Sequence, residues 1–145
     1  ADQSTTVNTP TAIKFNHDYG SNGVSVQRDG TNLTKITFDN VGTYNIQFSA
    51  QFTKNTGTAS VVDIWLRQNG VNVPWTNTQI TLANSSKVVA SWNFVVAETA
   101  GSYLEIYWAS SDGNIQLVSV PAQSTPYVTP AVPSVILTVT PVKGA

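Results

Sequence analysis

The feature that most constrains the fold is a long alternating stretch, residues 87–110, which reads KVVASWNFVVAETAGSYLEIYWAS. In its first half, apolar side chains occupy every second position from Val88 to Val96, and polar residues such as Ser91 and Asn93 lie between them. A period of two is that of a β-strand with one buried face. The second half alternates in the same way. Both halves therefore predict β-strands, and the stretch places Trp92 and Trp108 in the core.

The connection between the two halves has a length that is common in β-hairpins, and Gly101 within it can adopt a positive φ. The sequence therefore predicts a hairpin in the middle of an all-β domain. One face of its second strand carries Tyr103, Glu105 and Tyr107. Two tyrosines around one carboxylate favour a surface that contacts another protein. The alternative is that the tyrosines cover a sheet edge within one subunit.

The rest of the chain repeats this pattern without any stretch of helical period. Residues 43–53 form another clean alternating strand, and Asn69-Gly70 is a strong signal for a tight hairpin. Residues 19–23 are predicted to form a turn, and the four prolines of residues 121–133 exclude a central strand there. About eight to ten strands with frequent turns predict an antiparallel sandwich or barrel. We assign residues 1–10 to an extended N-terminal arm and residues 11–145 to one domain.

Composition excludes several classes of partner. Charged residues make up 10% of the chain, the net charge is −1, and no basic cluster is present. Nucleic acid is therefore not an expected partner, since phosphate binding needs clustered Lys and Arg. No apolar run approaches the roughly 20 residues of a membrane span. The absence of Cys excludes disulfides and thiolate metal sites.

No catalytic constellation is visible in the sequence. His17 is the single histidine, and Glu98 and Glu105 are the two glutamates. Nucleophilic catalysis needs a Ser, Cys or Thr beside a base, and acid–base hydrolysis needs two converging carboxylates. The aspartates are scattered, and several adjoin Gly or Asn in turns. We therefore expect a protein that is not an enzyme and that has no cofactor or metal site.

Two further groups of residues are candidates for contacts. In the arm, Thr5, Thr6, Val7 and Asn8 are predicted to dock on a partner. On the domain, the candidate ligand or contact surface comprises Trp65, Arg67, Trp75 and Tyr127. Trp65, with the planar donor Arg67 on the same face of its strand, is suited to stacking on a sugar ring or on the guanidinium group of Arg67. The alternative for Trp65 is packing under a loop or against a neighbouring subunit.

Three short segments resemble a known fold: FDNVGTY at residues 38–44, LRQNG at residues 66–70 and GSYLEI at residues 101–106. They resemble the jelly roll of the tumour-necrosis-factor and complement globular-head superfamily, in the short form found in bacteriophage structural proteins. The resemblance implies a two-sheet jelly roll that forms a compact trimer, with the sixth strand near the three-fold axis. It thereby implies that Tyr103, Glu105 and Tyr107 lie in or near the subunit interface.

Two functions follow as hypotheses. The first is a homotrimeric decoration or cement protein on the virion surface, which docks through its arm on the major capsid protein or another virion protein. The second is a tail-fibre or appendage tip that binds a host surface glycan. A secreted eukaryotic ligand of the same fold is a third and less favoured hypothesis.

Overall fold

The computed structural model describes residues 2–18 and 22–143, and these residues form eleven β-strands and no helix. No membrane-spanning helix is therefore present in this part of the chain. The strands are β1 Thr11–Ala12, β2 Val24–Arg28, β3 Leu33–Phe38, β4 Gly42–Lys54, β5 Ser60–Gln68, β6 Val71–Asn72, β7 Thr78–Leu82, β8 Lys87–Glu98, β9 Tyr103–Ser110, β10 Ile115–Leu117 and β11 Val135–Pro141.

The strands form two antiparallel sheets. The large sheet has the order β2-β3-β9-β5-β6, with β1 also paired to β9 and β7 also paired to β5. The small sheet is built on β4, with β8 along one side and β11 and β10 along the other. Both sheets direct their apolar positions inwards, and the packed faces bury Phe38, Ile46, Phe52, Ile64 and Trp108. The predicted all-β, two-sheet antiparallel sandwich is confirmed, with eleven described strands rather than eight to ten.

The predicted hairpin across residues 87–110 is wrong. Strand β8 pairs with β4 over its whole length, whereas β9 pairs with β5, β3 and β1 in the other sheet. The connection at residues 99–102 therefore carries the chain from one sheet to the other, and Gly101 supplies the turn with a φ of 82°. Alternation indicates which face of a strand is buried, but it does not indicate which sheet the strand joins.

Two local predictions are confirmed. Asn69 and Gly70 have φ values of 50° and 84°, and they connect β5 to β6 as a tight hairpin. The proline-rich residues 121–133 contain no strand and make only isolated bridges, which include the pair Gln123 and Thr129. Of the turn predicted at residues 19–23, residues 19–21 lie outside the described part.

The N-terminal arm lies against its own domain. The backbone of Gln3 exchanges two hydrogen bonds with Leu117, at 2.8 and 2.9 Å, and its side chain bonds the backbone of Lys14 twice. The carboxylate of Asp2 accepts hydrogen bonds from the amide and the hydroxyl of Ser119. These bonds lower the pKa of Asp2 from its ordinary value. The body of the same subunit therefore holds residues 2 and 3 in place; Ala1 lies outside the described residues.

A buried ion pair joins the two sheets at one end of the sandwich. Lys54 ends β4 on its inward face, is fully buried, and pairs with Asp112 in the turn after β9. Asp112 also accepts hydrogen bonds from the hydroxyl of Ser60 at 2.8 Å and the amide of Asn114 at 2.9 Å. The hydrogen bond from Lys54 is the main reason that the pKa of Asp112 lies far below its usual range, and the other two bonds act in the same direction.

Candidate functional site

The outer face of the large sheet carries residues of two surfaces that the sequence predicts separately, a subunit interface and a ligand-binding surface. Strands β5 and β9 are neighbours, and their register sets Trp65 opposite Tyr107 and Arg67 opposite Glu105. Residues predicted to line a subunit interface therefore lie directly beside residues predicted to bind a ligand. Sequence reasoning could not find this juxtaposition, because it depends on the pairing of strands that are about 40 residues apart.

Asn72 organises the centre of this face. Its Oδ1 atom accepts a hydrogen bond from Trp65 Nε1 and another from Arg67 Nε, both at 2.8 Å. The guanidinium carbon of Arg67 lies 4.0 Å from the ring centroid of Tyr107, which is cation–π geometry. The rings of Trp65 and Tyr107 are 6.1 Å apart at an angle of 33°. We call Trp65, Arg67, Asn72 and Tyr107 the tryptophan platform; its side chains are held by one another.

The platform is only partly open to water. Trp65, Arg67 and Tyr107 are half-buried, whereas Asn72 is exposed. Burial, followed by the nearby carboxylate of Glu105, raises the pKa of Tyr107, so its hydroxyl stays protonated over the physiological pH range. The Tyr107 hydroxyl is therefore able to donate a hydrogen bond at neutral pH.

Asp63 borders the platform and extends its polar groups. Its Oδ1 atom accepts hydrogen bonds from Asn77 Nδ2 at 3.0 Å and Gln79 Nε2 at 2.8 Å. Among the described residues, no hydrogen bond occupies Asp63 Oδ2 or Asn72 Nδ2. The face therefore combines fixed rings with both donors and acceptors that are available to a ligand.

The residues predicted for the trimer interface differ in how much surface they offer. Glu105 is only 5% exposed, and its Oε2 atom accepts a hydrogen bond from Thr34 at 2.7 Å. Tyr103 is half-buried, with the ammonium group of Lys35 4.5 Å from its ring centroid. Glu105 thus has little surface for a partner, whereas Tyr103 and Tyr107 have more. Their place at an interface stays a prediction.

Trp75 is the most exposed large apolar residue described. Its φ is 66°, a left-handed conformation that a bulky side chain rarely adopts. The loop around it is fixed to β5, because Val73 N donates to Leu66 O at 2.9 Å and Leu66 N donates to Thr76 Oγ1 at 3.0 Å. Trp75 is therefore presented to solvent by a loop that is anchored to the backbone of β5.

Tyr127 lies on the proline-rich segment and is exposed. No described ring contact joins Tyr127 to the tryptophan platform. The structure therefore brings Trp65 and Arg67 together and anchors the Trp75 loop to the backbone of the same strand, and it shows no ring contact between Tyr127 and either residue.

The arm residues predicted to dock on a partner form a small projection. Thr5 is half-buried and hydrogen-bonds Thr11 and the carbonyl of Thr9. Val7 and Asn8 are exposed in a turn, which is tied down where Asn8 N donates to Ser110 O at 2.9 Å. Thr6 is exposed beside them. The arm thus presents the tip at residues 6–8; the docking of that tip on a partner stays a prediction.

A second candidate surface lies on the small sheet, at strand β8. In the described structure β8 pairs only with β4, so its other side is an edge of twelve residues with an uninterrupted register. Between Lys87 and Glu98 the strand has no charge and no proline. Trp108 is buried as predicted, but Trp92 is only half-buried, as is Phe94. We call this strand the open edge.

The outer face of the small sheet continues the open edge, and its one charged residue among those described is Lys87, at the end of β8. Strand β8 contributes two exposed valines, Val89 at 58% and Val95 at 62%, and β11 contributes the exposed Ile136. Hydroxyl and amide side chains surround them. A shallow depression of about 350 Å³ lies at its centre, lined by Gln47, Ser49, Ser91, Asn93, Ile136 and Thr138. We call this surface the amide face.

Sequence reasoning missed two buried charged residues, Lys54 and Glu98. Glu98 ends β8 and accepts hydrogen bonds from Ser102 Oγ at 2.6 Å and Gln68 Nε2 at 3.0 Å. Within residues 2–18 and 22–143, no three His, Asp or Glu side chains lie close enough together to hold a metal ion. The burial of Lys54 was detectable, because the alternation of β4 sets it on the same face as Phe52.

The comparisons with known proteins add no constraint. No family model matches the chain, and a search of curated proteins found no match.

Proposed function

We propose that this chain is a non-enzymatic structural protein of a virion surface, which assembles as a homotrimer and decorates the phage shell. The observation that supports self-association is the open edge of β8. The assignment to a virion rests on the resemblance of three segments to the jelly roll of phage structural proteins.

The open edge is the part of the molecule that most requires a cover. A long, regular and apolar edge strand offers unpaired N–H and C=O groups to any other chain, and monomeric proteins usually blunt such edges with charges, prolines or bulges. Strand β8 has none of these devices between its two ends. The half-buried rings of Trp92 and Phe94 would lose further contact with water under a partner.

A second copy of this chain is the occupant that the surface fits best. Beyond Lys87 at its end, the amide face beside the open edge has no charge, so copies approach one another there without strong electrostatic repulsion. Its exposed valines offer apolar contact, and its hydroxyl and amide groups offer hydrogen bonds. In a three-fold ring the contact is heterologous, so each copy's open edge packs on a different part of its neighbour, and every open edge is buried. We infer that this edge, rather than the half-buried Tyr103 and the buried Glu105, is the main subunit contact.

The exposed tip at residues 6–8 of the arm is the proposed contact with the shell. The tip is uncharged and includes the exposed Val7. Docking through such a surface depends on shape, apolar contact and backbone hydrogen bonds. It should therefore persist at raised salt, where contacts between charges weaken.

The mass of the purified chain in solution tests the proposal first. Light scattering at low and high salt should give about three times the 15.5 kDa chain mass at both salt concentrations. A monomer at both concentrations would refute self-association. Antibodies against the chain should then label intact virions of the phage that encodes it, and the label should remain after a moderate-salt wash. Unlabelled virions would refute the decoration role even if the trimer stands.

A further inference from the structure

We propose that the tryptophan platform and the adjacent Trp75 form a binding site for a pyranose saccharide. This inference goes beyond the structural role above and rests on different residues. It concerns the outer face of the large sheet, whereas assembly is proposed through the small sheet.

The rings of the platform have the form that sugar stacking requires. The C–H faces of a pyranose ring are apolar and pack flat against aromatic rings, and Trp offers the largest such surface. Trp65 and Tyr107 lie side by side at 6.1 Å with an angle of 33° between them. Asn72 holds the indole and the guanidinium group in place, so a ligand meets side chains that are already ordered. Such preorganisation lowers the entropic cost of binding.

The polar groups around the rings match sugar hydroxyls. Each hydroxyl both donates and accepts, so a saccharide needs donors and acceptors together. Asn72 Nδ2 is a donor with no described partner, Asp63 Oδ2 is an acceptor with none, and the guanidinium group of Arg67 has five N–H donors in all. Asp63 and Arg67 flank Trp65 along β5, and Asn72 lies opposite Arg67 on β6. A site for an anion would not include the carboxylate of Asp63. An apolar protein partner would leave these donors and this acceptor without hydrogen bonds.

Trp75 adds an independent observation. A tryptophan that is fully exposed and has a φ of 66° costs free energy in two ways, through backbone strain and through apolar surface in water. Neither cost is offset by a described contact of its side chain. Its loop is nevertheless anchored to Leu66, the residue that follows Trp65 on β5, and Trp75 itself lies three residues after Asn72 of the platform. A ligand that stacks on the ring explains why this arrangement is kept.

The test uses the assembled protein on an array of immobilised neutral, N-acetylated and uronic-acid oligosaccharides. The best-bound soluble oligosaccharide is then titrated in solution by calorimetry. We expect Trp65→Ala and Trp75→Ala each to weaken binding at least about tenfold, which corresponds to about 1.4 kcal/mol. Asn72→Ala should weaken binding as well, because it releases both Trp65 and Arg67 while it keeps every ring.

Controls separate binding from folding. Trp75→Gly should melt at the same temperature as the wild type or slightly higher, because glycine adopts a positive φ without strain, yet it should bind as weakly as Trp75→Ala. Val128→Ala, at an exposed apolar residue of the proline-rich segment, should bind as the wild type does. The proposal is overturned if the wild type binds no saccharide better than the Trp65→Ala protein does. It is also overturned if the wild type sediments with phosphatidylcholine vesicles and binds no sugar, since Trp75 would then be a lipid contact.

Discussion

The edge strands of the two sheets differ in length and in regularity. In the large sheet, the edge strand β2 has five residues, with an irregular register between Gln27 and Arg28, and the edge strands β6 and β7 have two and five residues. In the small sheet, β11 has seven residues and ends at Pro141, but β8 runs for twelve without interruption. Short length, irregularity and proline are the means by which proteins prevent edge-to-edge pairing. Their absence from one edge alone indicates that this edge is used.

The outer faces differ in the same sense. The large sheet carries charged and aromatic groups held by specific bonds, such as Arg67 on Asn72. The small sheet carries valines, hydroxyls and amides, with one described side-chain bond across it, from Asn93 to Asn45. An ordered polar face is suited to a small ligand, whereas a uniform uncharged face is suited to a broad contact with a copy of itself. These differences support the two proposals, which place recognition on one sheet and assembly on the other.

The strongest test of this comparison places charges on the open edge. In the double variant Val89→Lys with Val95→Lys, two exposed valines of β8 become cations that need water. We expect the mass in solution to fall from three chains to one, with the fold retained by circular dichroism. Val71→Lys is the matched control, because Val71 is 68% exposed and lies on β6 of the large sheet. A double variant that stays trimeric would remove the distinction between the two edges.

A smaller effect is expected from acid, because the two sheets are joined by the ion pair of Lys54 and Asp112. The pKa of Asp112 is lowered in the folded protein from its ordinary value of 3.8, so this carboxylate stabilises the fold above about pH 4. The contribution is lost as the pH falls from about 4 towards the lower folded pKa. Urea denaturation of the wild type should therefore show decreasing stability below about pH 4.

The variant Asp112→Asn isolates this contribution. It should be less stable than the wild type at pH 7, because Lys54 stays buried without its anion. The difference between the two proteins should shrink as the pH falls below about 4. Two stability curves that run parallel down to pH 2.5 would show that the pair does not join the sheets energetically.

The smallest effect concerns the connection that carries the chain from the small sheet to the large one. At Gly101 φ is 82°, and an added Cβ would meet nothing within 4 Å. Gly101→Ala should therefore destabilise the fold by about 1 to 2 kcal/mol through backbone strain alone. Gly42→Ala is the control, since its Cβ would make ordinary contact with the ring of Tyr44 and no positive φ is involved. Equal stability of the two variants, measured by denaturation, would contradict this account of the turn.

Much of the fold was accessible from the sequence, because its main signals are local. Alternation identified the long strands, and Asn69-Gly70 identified the hairpin with its positive φ values. The alternation of residues 87–110 was also correct for each strand. The alternation did not predict which strands β8 and β9 pair with, because hydrogen bonds between strands depend on partners far along the chain, such as β4 for β8.

The candidate sites were accessible only in part. The sequence singled out Trp65 and Trp75 by residue type and neighbours, but the role of Asn72 required the geometry of the hairpin that returns it beside Trp65 and Arg67. The open edge was missed because β8 was predicted to pair with β9 in a hairpin in the middle of the domain. A strand's composition alone does not show whether both of its sides are paired.

The positions of the two ends of the chain have a mechanical consequence. Gln3 bonds to Leu117, which pairs with Phe52, whereas Pro141 pairs with Tyr44. Tyr44 and Phe52 are eight residues apart along β4, which is roughly 26 Å at about 3.3 Å per residue. A force applied between residues 3 and 141 would thus pull β11 along its own axis and load its hydrogen bonds to β4 in shear, all at once. The protein under such tension would have to break that ladder as a unit, rather than open it one bond at a time.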